Sequence, residues 1–379
     1  MTSFKRNRTA PAQDAAPAGA IAGAPASESS PTHKLHLLHA TRTQLRRAAL
    51  KLAGYLAGAY LVLKLIPGLE AALGTLGRVR WPWVVAALAV ETFSETGFAM
   101  SWGAIVDPEH ALSGDDRGAR MDRHFAWAQL GGGTLVPGGS LGGVGVGAWM
   151  LHRFGMPGEV VAERQFNLSF LNTAVDALAL IFFGLGLASG ILPGSQNLAL
   201  TLLPAVLATA GVLAALLIAR RAGKGAWHIK HRKIAAALTT LSAAVEDTRR
   251  VLFHRSGGRA VLGALAYLGF DVLVLWGAFI AIGGHPMPGF AVVLMAYIIG
   301  ALGGSIPLPA SLGTIGGMVG MLILYGVRHD AALVAVLLYQ AVGMIVPVVG
   351  GGIAYLFVRH SLRSSPPRAE EQLAKGGTQ

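Results

Sequence analysis

Apolar stretches of about 20 residues recur along this chain, and most of them lack the polar face that a helix in a soluble protein presents to water. A helix of that length crosses a hydrocarbon core of about 30 Å. Composition agrees, because 53% of the residues are hydrophobic and only 13% are charged, against about a quarter charged in soluble domains. The pattern predicts an all-α polytopic membrane protein with about six full spans, near residues 48–67, 81–106, 165–187, 197–219, 260–283 and 331–358.

Two further apolar segments, residues 125–151 and 290–327, are interrupted by glycine and proline. The hexapeptide SLGGVG in the first segment returns as SLGTIG in the second. The alignment pairs residue 132 with residue 303 and continues without gaps to 156 and 327, with nine identical pairs. We call this pairing the repeat register. Irregular backbone at membrane depth is tolerated only where it is buried in protein or lines a cavity, so these two segments differ from ordinary spans.

Basic residues flank the apolar segments unevenly. Residues 1–51 carry eight Lys or Arg against two acids, and residues 220–259 carry ten against two. The positive-inside rule places both segments, and the mildly basic C-terminal tail, in the cytoplasm. Segments on the same side of the membrane are separated by an even number of crossings. The count is even only if 125–151 and 290–327 each enter and leave the membrane on the same side. The pattern predicts two re-entrant hairpins of opposite orientation, an inverted-topology repeat typical of transporters.

Charge and hydropathy together divide the chain into five parts. Residues 1–44 are predicted to form a disordered cytoplasmic tail, and 359–379 a second cytoplasmic tail. The first membrane half, 45–219, contains one hairpin, and the second half, 260–358, contains the other. The basic segment 220–259 between them includes an amphipathic helix expected to lie against anionic lipid. Topology and lipid contact explain the net charge of +12, so nucleic acid is not an expected partner.

The hairpin turns bring helix N-termini into the membrane interior. Each turn contains a helix-breaking group, PGGS in the first and PLPAS in the second, and its serine is a good N-cap for the arm that follows. The free N–H groups of such an arm bind phosphate or carboxylate; the alternative is that the small residues only allow tight helix packing. The candidate substrate-binding residues of the turns are Pro137, Gly138, Gly139, Ser140, Gly142, Pro309, Ser311, Gly313 and Thr314.

Acidic residues within apolar spans usually face a cavity or a partner, and this chain has four of them: Glu91, Glu95, Asp176 and Asp271. Glu91 and Glu95 share one helix face, and Glu95 and Asp271 precede the two hairpins in comparable places. These carboxylates are expected to bind a cationic headgroup, to relay protons or to pair with a basic residue; the alternative is a structural hydrogen bond. The candidate basic residues are Lys64, Arg164 and Arg153, and Arg153 is assigned to the substrate site.

Motifs of catalysis and cofactor binding are missing from the sequence. There is no Ser–His–Asp pattern, P-loop or dinucleotide fingerprint, and there is no cysteine. His228 and His231 have helical spacing, but no further ligand cluster accompanies them, so they are assigned to the basic face rather than to a metal site. The chain is therefore not expected to be an enzyme, or to hold a cofactor or a metal.

From about Leu45 to Arg363 the chain resembles the lysylphosphatidylglycerol synthase transmembrane-region family. Members have an acidic residue, then a P-x-P-G-G-L-G turn and a later G-V. The first hairpin, LVPGGSLGGVGVGAWMLHRFGMP, resembles the N-terminal proline–glycine turn of the family. The positions that match the second-half pattern are Asp271, Pro307, Pro309, Gly313 and Gly326.

The chain departs from the family pattern at several charged positions. Many members carry Glu shortly after the second turn, where this chain has Gly316 or Gly317, and Arg near Gln340. Another Arg is common just before the acid at Asp176, where this chain has Asn172 and Thr173. If those charges bind headgroups in the family, this chain binds a different lipid.

The resemblance implies lipid translocation in a bacterial inner membrane, with both termini cytoplasmic. We expect a flippase or transporter that moves a phospholipid or another phosphate-bearing lipid between leaflets. The soluble aminoacyl-transfer domain of the best-known members is not expected, because only the segment 359–379 follows the last span. The alternative is a non-transporting accessory protein that binds a polyprenyl or terpenoid lipid or scaffolds cell-envelope lipid synthesis. Expected partners are membrane lipids, and either a second copy of the chain or a protein of cell-envelope synthesis.

Overall fold

The protein is all-helical in the residues that the computed structural model describes, which are 80–108, 118–135, 140–194, 197–222, 245, 257–283, 286–305 and 312–364. These residues form nine α-helices and one 3-10 helix, Leu302–Ser305. The predicted span 48–67, most of both tails and most of the basic segment 220–259 lie outside them. In chain order the helices are α1 Trp81–Val106, α2 Gly118–Leu135, α3 Ser140–Arg153, α4 Gly158–Ala188, α5 Leu198–Ala222, α6 Gly257–Ile282, α7 Phe290–Ala301, α8 Leu312–Leu324 and α9 His329–Ser364.

Among the helices that the structure describes, four are long and apolar enough to cross a membrane, and they coincide with four of the predicted spans. The chain is therefore a helical membrane protein, as the hydropathy pattern predicts. Helix α1 has 26 residues, but it is less apolar because it contains Glu91 and Glu95. The four spanning segments are Gly158–Ala188, Leu198–Ile218, Gly257–Ile282 and His329–His360.

Helices α1 and α6 form an antiparallel pair. Arg80, which precedes α1, donates its backbone N–H to Ala281 O near the end of α6 at 3.0 Å. Where the helices cross, a Cβ on Gly97 would lie 2.9 Å from Gly263 O, and a Cβ on Gly263 would lie 2.7 Å from Gly97 O. Two facing glycines thus allow the backbones to approach closely, as small residues do between membrane helices.

Helices α2 and α3 pack against each other as a hairpin, and α7 and α8 form a second one. A Cβ on Gly132 would lie 2.7 Å from Val146 Cγ1, and a Cβ on Gly303 would lie 3.5 Å from Gly317 Cα. The repeat register maps the first pair of residues onto the second. The two hairpins therefore bring equivalent positions of their arms together.

A second pair of positions shows the same correspondence with the side-chain sizes exchanged. Gln129 of α2 lies against Gly147 of α3, whereas Gly300 of α7 lies against Met318 of α8. The repeat register, extended by one helical turn toward the N-terminus, relates these pairs. One glycine makes room for one large side chain in each hairpin, but the glycine is on opposite arms.

Helices α3 and α8 end in the same turn. Gly155 and Gly326, which are equivalent in the repeat register, have φ values of 88° and 91°. In the first half Met156 N donates to Leu151 O at 3.2 Å and Gly155 N to His152 O at 3.0 Å; the equivalent bonds of the second half are 3.0 and 2.9 Å long. This pair of bonds is a Schellman motif, in which the left-handed residue is usually glycine. The repeat in the sequence is thus also a repeat in local backbone structure.

Several helix ends extend beyond the predicted apolar segments. Helix α2 begins at Gly118, before the predicted apolar segment 125–151, and α9 continues to Ser364, beyond the predicted end at 358. Residues such as Arg, Met and Leu in these extensions favour helix. Hydropathy marks the apolar part of a helix, whereas the backbone hydrogen bonds continue into its polar ends.

Candidate functional site

The acidic residues predicted within the spans lie close together. Glu91 and Glu95 of α1 are each 3% exposed and Asp271 of α6 is 6% exposed, while Asp176 of α4 is half-buried. Glu91, Glu95 and Asp176 each lie within electrostatic range of Asp271. We call these four residues the carboxylate cluster.

Glu95 and Asp271 occupy equivalent positions in the antiparallel pair. Helices α1 and α6 both have 26 residues, and the two acids have the same place in them, counted from either helix end. This equivalence agrees with the sequence-based expectation that the two acids precede the hairpins in comparable places. The centre of the α1–α6 pair therefore carries one acid from each half.

Two tyrosines beside Asp271 are not among the predicted site residues. The Tyr297 hydroxyl, on α7, donates a hydrogen bond to Asp271 Oδ2. The ring of Tyr339, on α9, lies edge-on to that of Tyr297, with 6.0 Å between centroids and 85° between planes. The only sequence indication of this role is that both tyrosines lie well inside apolar segments rather than at a membrane interface.

The carboxylate cluster is short of hydrogen-bond donors. Glu91 Oε2, Glu95 Oε2 and Asp271 Oδ1 are buried and accept no hydrogen bond from any residue that the structure describes. The described residues also contain no group of three or more side chains placed to hold a metal ion. Ionised carboxylates buried in a membrane protein need a compensating partner. A proton, a monovalent cation or the amine of a headgroup has the chemistry to supply it.

The candidate basic partners that the structure describes lie elsewhere. Arg164 Nη1 donates to Val106 O at the end of α1 at 2.5 Å, where a cation is favoured by the helix dipole. The Arg153 guanidinium lies 5.8 Å from the ring centroid of Trp149. Lys64 lies outside the described residues. Neither arginine is paired with the carboxylate cluster.

The hairpin turns are described only in part. Gly142 lies in the first turn of α3, and Gly313 and Thr314 lie in the first turn of α8; all three are partly buried. The Gly313 carbonyl packs against Gly303, a contact that fits the packing alternative for that glycine. Ser140 is the first residue of α3. Outside the described residues are Pro137, Gly138, Gly139, Pro309 and Ser311.

Glycines of the two hexapeptides differ in the space around them. Gly145 and Gly316, which are equivalent, have no atom within 4 Å of an added Cβ. A Cβ on Gly317 would instead collide with the carbonyl oxygen of Gly300. Of the two positions at which the resemblance places a family Glu, only Gly316 has room for a side chain.

A buried amide network, which the sequence analysis does not single out, joins α1, α2 and α4. Gln129 Nε2 donates to Gln165 Oε1 at 3.0 Å, and Gln165 Nε2 donates to Gln129 Oε1 at 2.9 Å. Trp102 Nε1 donates to the same Gln129 oxygen at 2.8 Å. Because these groups satisfy one another's hydrogen bonds, the network orients three helices. The carboxylate cluster differs in that three of its buried oxygens have no such partner.

Comparison with known families agrees with the resemblance seen in the sequence. The family described as "Lysylphosphatidylglycerol synthase TM region" matches residues 49–351. The matched region includes both hairpins, the whole carboxylate cluster, and Tyr297 and Tyr339. No curated protein matches the chain significantly.

Proposed function

The chain belongs to the lysylphosphatidylglycerol synthase transmembrane-region family, and we propose that it moves a phospholipid or another phosphate-bearing lipid between the leaflets of a membrane. Family membership and the helical fold support a membrane protein related to lipid synthesis or transport. The observation that carries the finer proposal is the carboxylate cluster, because buried acids inside a membrane bundle usually mark a substrate or ion pathway.

Helix lengths support an architecture of six spans and two re-entrant hairpins. Helix α3 has 14 residues and α8 has 13, so each is about 20 Å long at 1.5 Å per residue. That is short of the roughly 30 Å needed to cross the hydrocarbon core. The matching turns of the hairpins and the antiparallel α1–α6 pair are the features expected of an inverted-topology repeat, which transporters use for alternating access.

The two ends of a lipid headgroup bind different parts of this site in the proposal. The free N–H groups at the starts of α3 and α8 hold the phosphate, aided by the candidate turn residues. Arg153 lies in the last turn of α3, about 20 Å from the start of that helix, and takes no part in this phosphate site. The carboxylate cluster holds a proton, a cation or an amine of the headgroup. Exchange of that partner as the site opens to alternate sides couples the cluster to lipid movement.

The proposed location is a bacterial inner membrane with both termini in the cytoplasm. There the basic segment 220–259, with ten Lys or Arg against two acids, contacts anionic lipid. The protein performs no catalytic step in this proposal. Its partners are membrane lipids, and either a second copy of the chain or a protein of cell-envelope synthesis.

Reconstitution of the full chain in liposomes tests the proposal. Headgroup-labelled anionic, zwitterionic and polyprenyl-phosphate lipids are added one at a time, and a membrane-impermeant reductant bleaches the label in the outer leaflet. We expect bleaching of at least one lipid to proceed into the inner-leaflet pool, at a rate that rises with protein copies per liposome. Heat-denatured protein is the control. An inner-leaflet pool protected from the reductant for all three lipid classes would contradict lipid movement.

The same preparation separates transport from the accessory role. Lipid extracted from the purified protein is identified by mass spectrometry before reconstitution. Retention of a polyprenyl or terpenoid lipid, together with a protected inner-leaflet pool, would favour a binding or scaffolding protein. Movement of a phosphate-bearing lipid favours the transporter.

A further inference from the structure

Two of the described helices contain an internal proline, Pro204 in α5 and Pro347 in α9. Proline has no N–H, so the carbonyl four residues earlier in the helix loses its usual hydrogen-bond donor. Those two carbonyls belong to Leu200 and Gly343. Inside a membrane, a carbonyl freed in this way is satisfied by another group of the protein. Each proline therefore marks a carbonyl that needs a donor from elsewhere in the bundle.

The carbonyl freed by Pro204 has such a donor. The hydroxyl of Tyr325, in the turn after α8, donates to Leu200 O at 2.7 Å. A neutral O–H group from another part of the chain thus replaces the N–H that the proline lacks. An equivalent donor is required at Gly343.

The polar side chain beside Gly343 is Glu91 of α1. Glu91 Oε1 lies 3.5 Å from the position of an added Cβ on Gly343, and the residue is 3% exposed. The other oxygen, Oε2, has no hydrogen-bond partner among the described residues. An ionised carboxylate only accepts hydrogen bonds, whereas a protonated carboxyl has an O–H to donate. Glu91 can therefore satisfy the Gly343 carbonyl only when it carries a proton.

The charges around Glu91 favour the same state. Helices α2 and α4, which also pack against α1, bring no charged group of the described residues into electrostatic range of Glu91. A buried acid that has acidic neighbours and no cation binds a proton and becomes neutral. The titratable side chains within that range, among the described residues, are Glu95 of α1, Tyr267 and Asp271 of α6, and Tyr339 of α9.

We propose that Glu91 holds a proton and donates it in a hydrogen bond to the Gly343 carbonyl, in the gap left by Pro347. When the proton leaves, the O–H bond breaks, its electron pair stays on the carboxylate, and the carbonyl loses its donor. Helix α9 packs closely on the first hairpin here, because a Cβ on Gly131 of α2 would lie 2.7 Å from Pro347 O. Release of the proton therefore disturbs the contact between α9 and that hairpin.

This inference deepens the proposed function, since it selects the proton among the three partners of the carboxylate cluster. Its consequence for transport rests on that function. Proton binding from one side of the membrane and release to the other couples lipid movement to a pH gradient. The hydrogen bond itself exists whether or not lipid moves.

A double-mutant cycle in detergent micelles tests the hydrogen bond. Glu91→Leu removes the donor and should raise the unfolding equilibrium constant by about tenfold, whereas Glu91→Gln is neutral, keeps a donor and should unfold like the wild type. Pro347→Ala restores an N–H for the Gly343 carbonyl, so most of the effect of Glu91→Leu should disappear in that background. Pro204→Ala is the matched control, because it restores an N–H at the other proline and should leave the full effect.

Infrared spectroscopy of the full chain observes the proton directly. At neutral pH the wild type should show the C=O stretch of a protonated carboxyl, which Glu91→Gln removes and Asp330→Asn, at an exposed acid, retains. In Pro347→Ala the band should remain but move to higher frequency, because its hydrogen bond to the carbonyl is lost. That shift assigns the band to Glu91 even if Glu91→Gln does not fold.

Several results would overturn the proposal. They are a wild-type spectrum without this band, a band that neither Glu91→Gln removes nor Pro347→Ala shifts, and equal destabilisation by Glu91→Gln and Glu91→Leu. The last result is expected if an ionised Glu91 pairs with a cation such as Lys64, which lies outside the described residues.

The leaflet assay tests the coupling. An imposed pH difference should change the bleaching rate of the wild type by severalfold and leave that of Glu91→Gln unchanged. A wild-type rate that ignores the pH difference while lipid moves would contradict the coupling. A complete lack of lipid movement would contradict the proposed function instead, and the spectra and the unfolding cycle would still decide the protonation of Glu91.

Discussion

Asp271 has two carboxylate oxygens in different surroundings. Oδ2 accepts a hydrogen bond from Tyr297, whereas Oδ1 has no partner among the described residues. In the repeat register, extended toward the N-terminus, the position equivalent to Tyr297 is Ala126, so the first half has no counterpart of this donor. The two halves share an acid but not its tyrosine.

Replacing Tyr297 by Phe tests how much that hydrogen bond contributes to the stability of the fold. The substitution keeps the ring but leaves a second buried oxygen of Asp271 unsatisfied, so the free energy of unfolding should fall by about 1–3 kcal/mol. Denaturant unfolding in detergent micelles measures the change. Tyr355→Phe, at a more exposed tyrosine of α9, is the control and should unfold like the wild type. Equal stability of the two variants would contradict the contact.

Alanine substitution at two adjacent glycines of α8, Gly316 and Gly317, is expected to change the stability in opposite directions. Gly317→Ala places a methyl group against the Gly300 carbonyl, and such overpacking should destabilise the protein by about 1–3 kcal/mol. Gly316→Ala meets open space, and the higher helix propensity of alanine should stabilise it by up to about 1 kcal/mol. Thermal unfolding of both variants in one detergent gives the comparison. A lower melting temperature for Gly316→Ala than for Gly317→Ala would contradict the packing of the second hairpin.

Charged and uncharged site residues differ in how far the sequence reveals them. The four acids can be predicted because an ionisable residue in an apolar span is rare and expensive. Tyr297 cannot, because tyrosine is common in membrane segments and its role depends on a partner on another helix. The Gln129–Gln165 pair cannot be predicted either, because each glutamine has its partner on another helix. The sequence also does not decide the role of Gly313, because its position fits both a ligand site and a packing contact.

At the scale of elements, the sequence repeat and the backbone structure agree best in the turns after α3 and α8. The repeat register relates two Schellman motifs with the same hydrogen bonds and positive φ values. A Cβ on Gly155 or Gly326 would meet no atom within 4 Å. The requirement for glycine at both positions is therefore a backbone requirement and not a packing one.

Alanine at either turn tests this explanation. Gly155→Ala and Gly326→Ala should each lower the free energy of unfolding by about 1–2 kcal/mol, the strain of a left-handed alanine. Gly158→Ala is the matched control, because its Cβ also meets open space and its φ is not positive. Chemical denaturation of the three variants measures the effect. A control variant as destabilised as the two turn variants would rule out the backbone account.

Element types follow from the sequence better than element ends. Apolar stretches of about 20 residues predict the spans, and glycine and proline mark the two interrupted segments, because both signals are local. The start of α2 at Gly118 and the extension of α9 to Ser364 lie in polar sequence, where hydropathy carries no information. The crossing at Gly97 and Gly263 is also absent from local patterns, since it depends on which two helices meet.

For the whole molecule, the proposed topology makes a prediction about the sides of the membrane. The chain has no cysteine, so single cysteines report accessibility without background. Arg123→Cys and Glu159→Cys flank the first hairpin and should react with an impermeant thiol reagent from the cytoplasmic side. Met287→Cys and His329→Cys flank the second and should react from the opposite side. All four native side chains are exposed.

The outcome decides between hairpins and full crossings. Reaction of Arg123→Cys and Glu159→Cys from opposite sides would make α2 and α3 a complete crossing and remove the inverted repeat. Reaction of both pairs from the same side would keep the hairpins but contradict their opposite orientation.

We propose that the acids at the middle of the α1–α6 pair take part in lipid movement, and neutralising them in the liposome assay is the most direct test. Glu95→Gln and Asp271→Asn should each slow inner-leaflet bleaching by about tenfold or more, corresponding to roughly 1.4 kcal/mol of lost interaction. Asp330→Asn changes an exposed acid that pairs with Arg328 at 2.8 Å and should keep the wild-type rate. Folded Glu95→Gln and Asp271→Asn proteins that both move lipid as fast as the wild type would contradict the account.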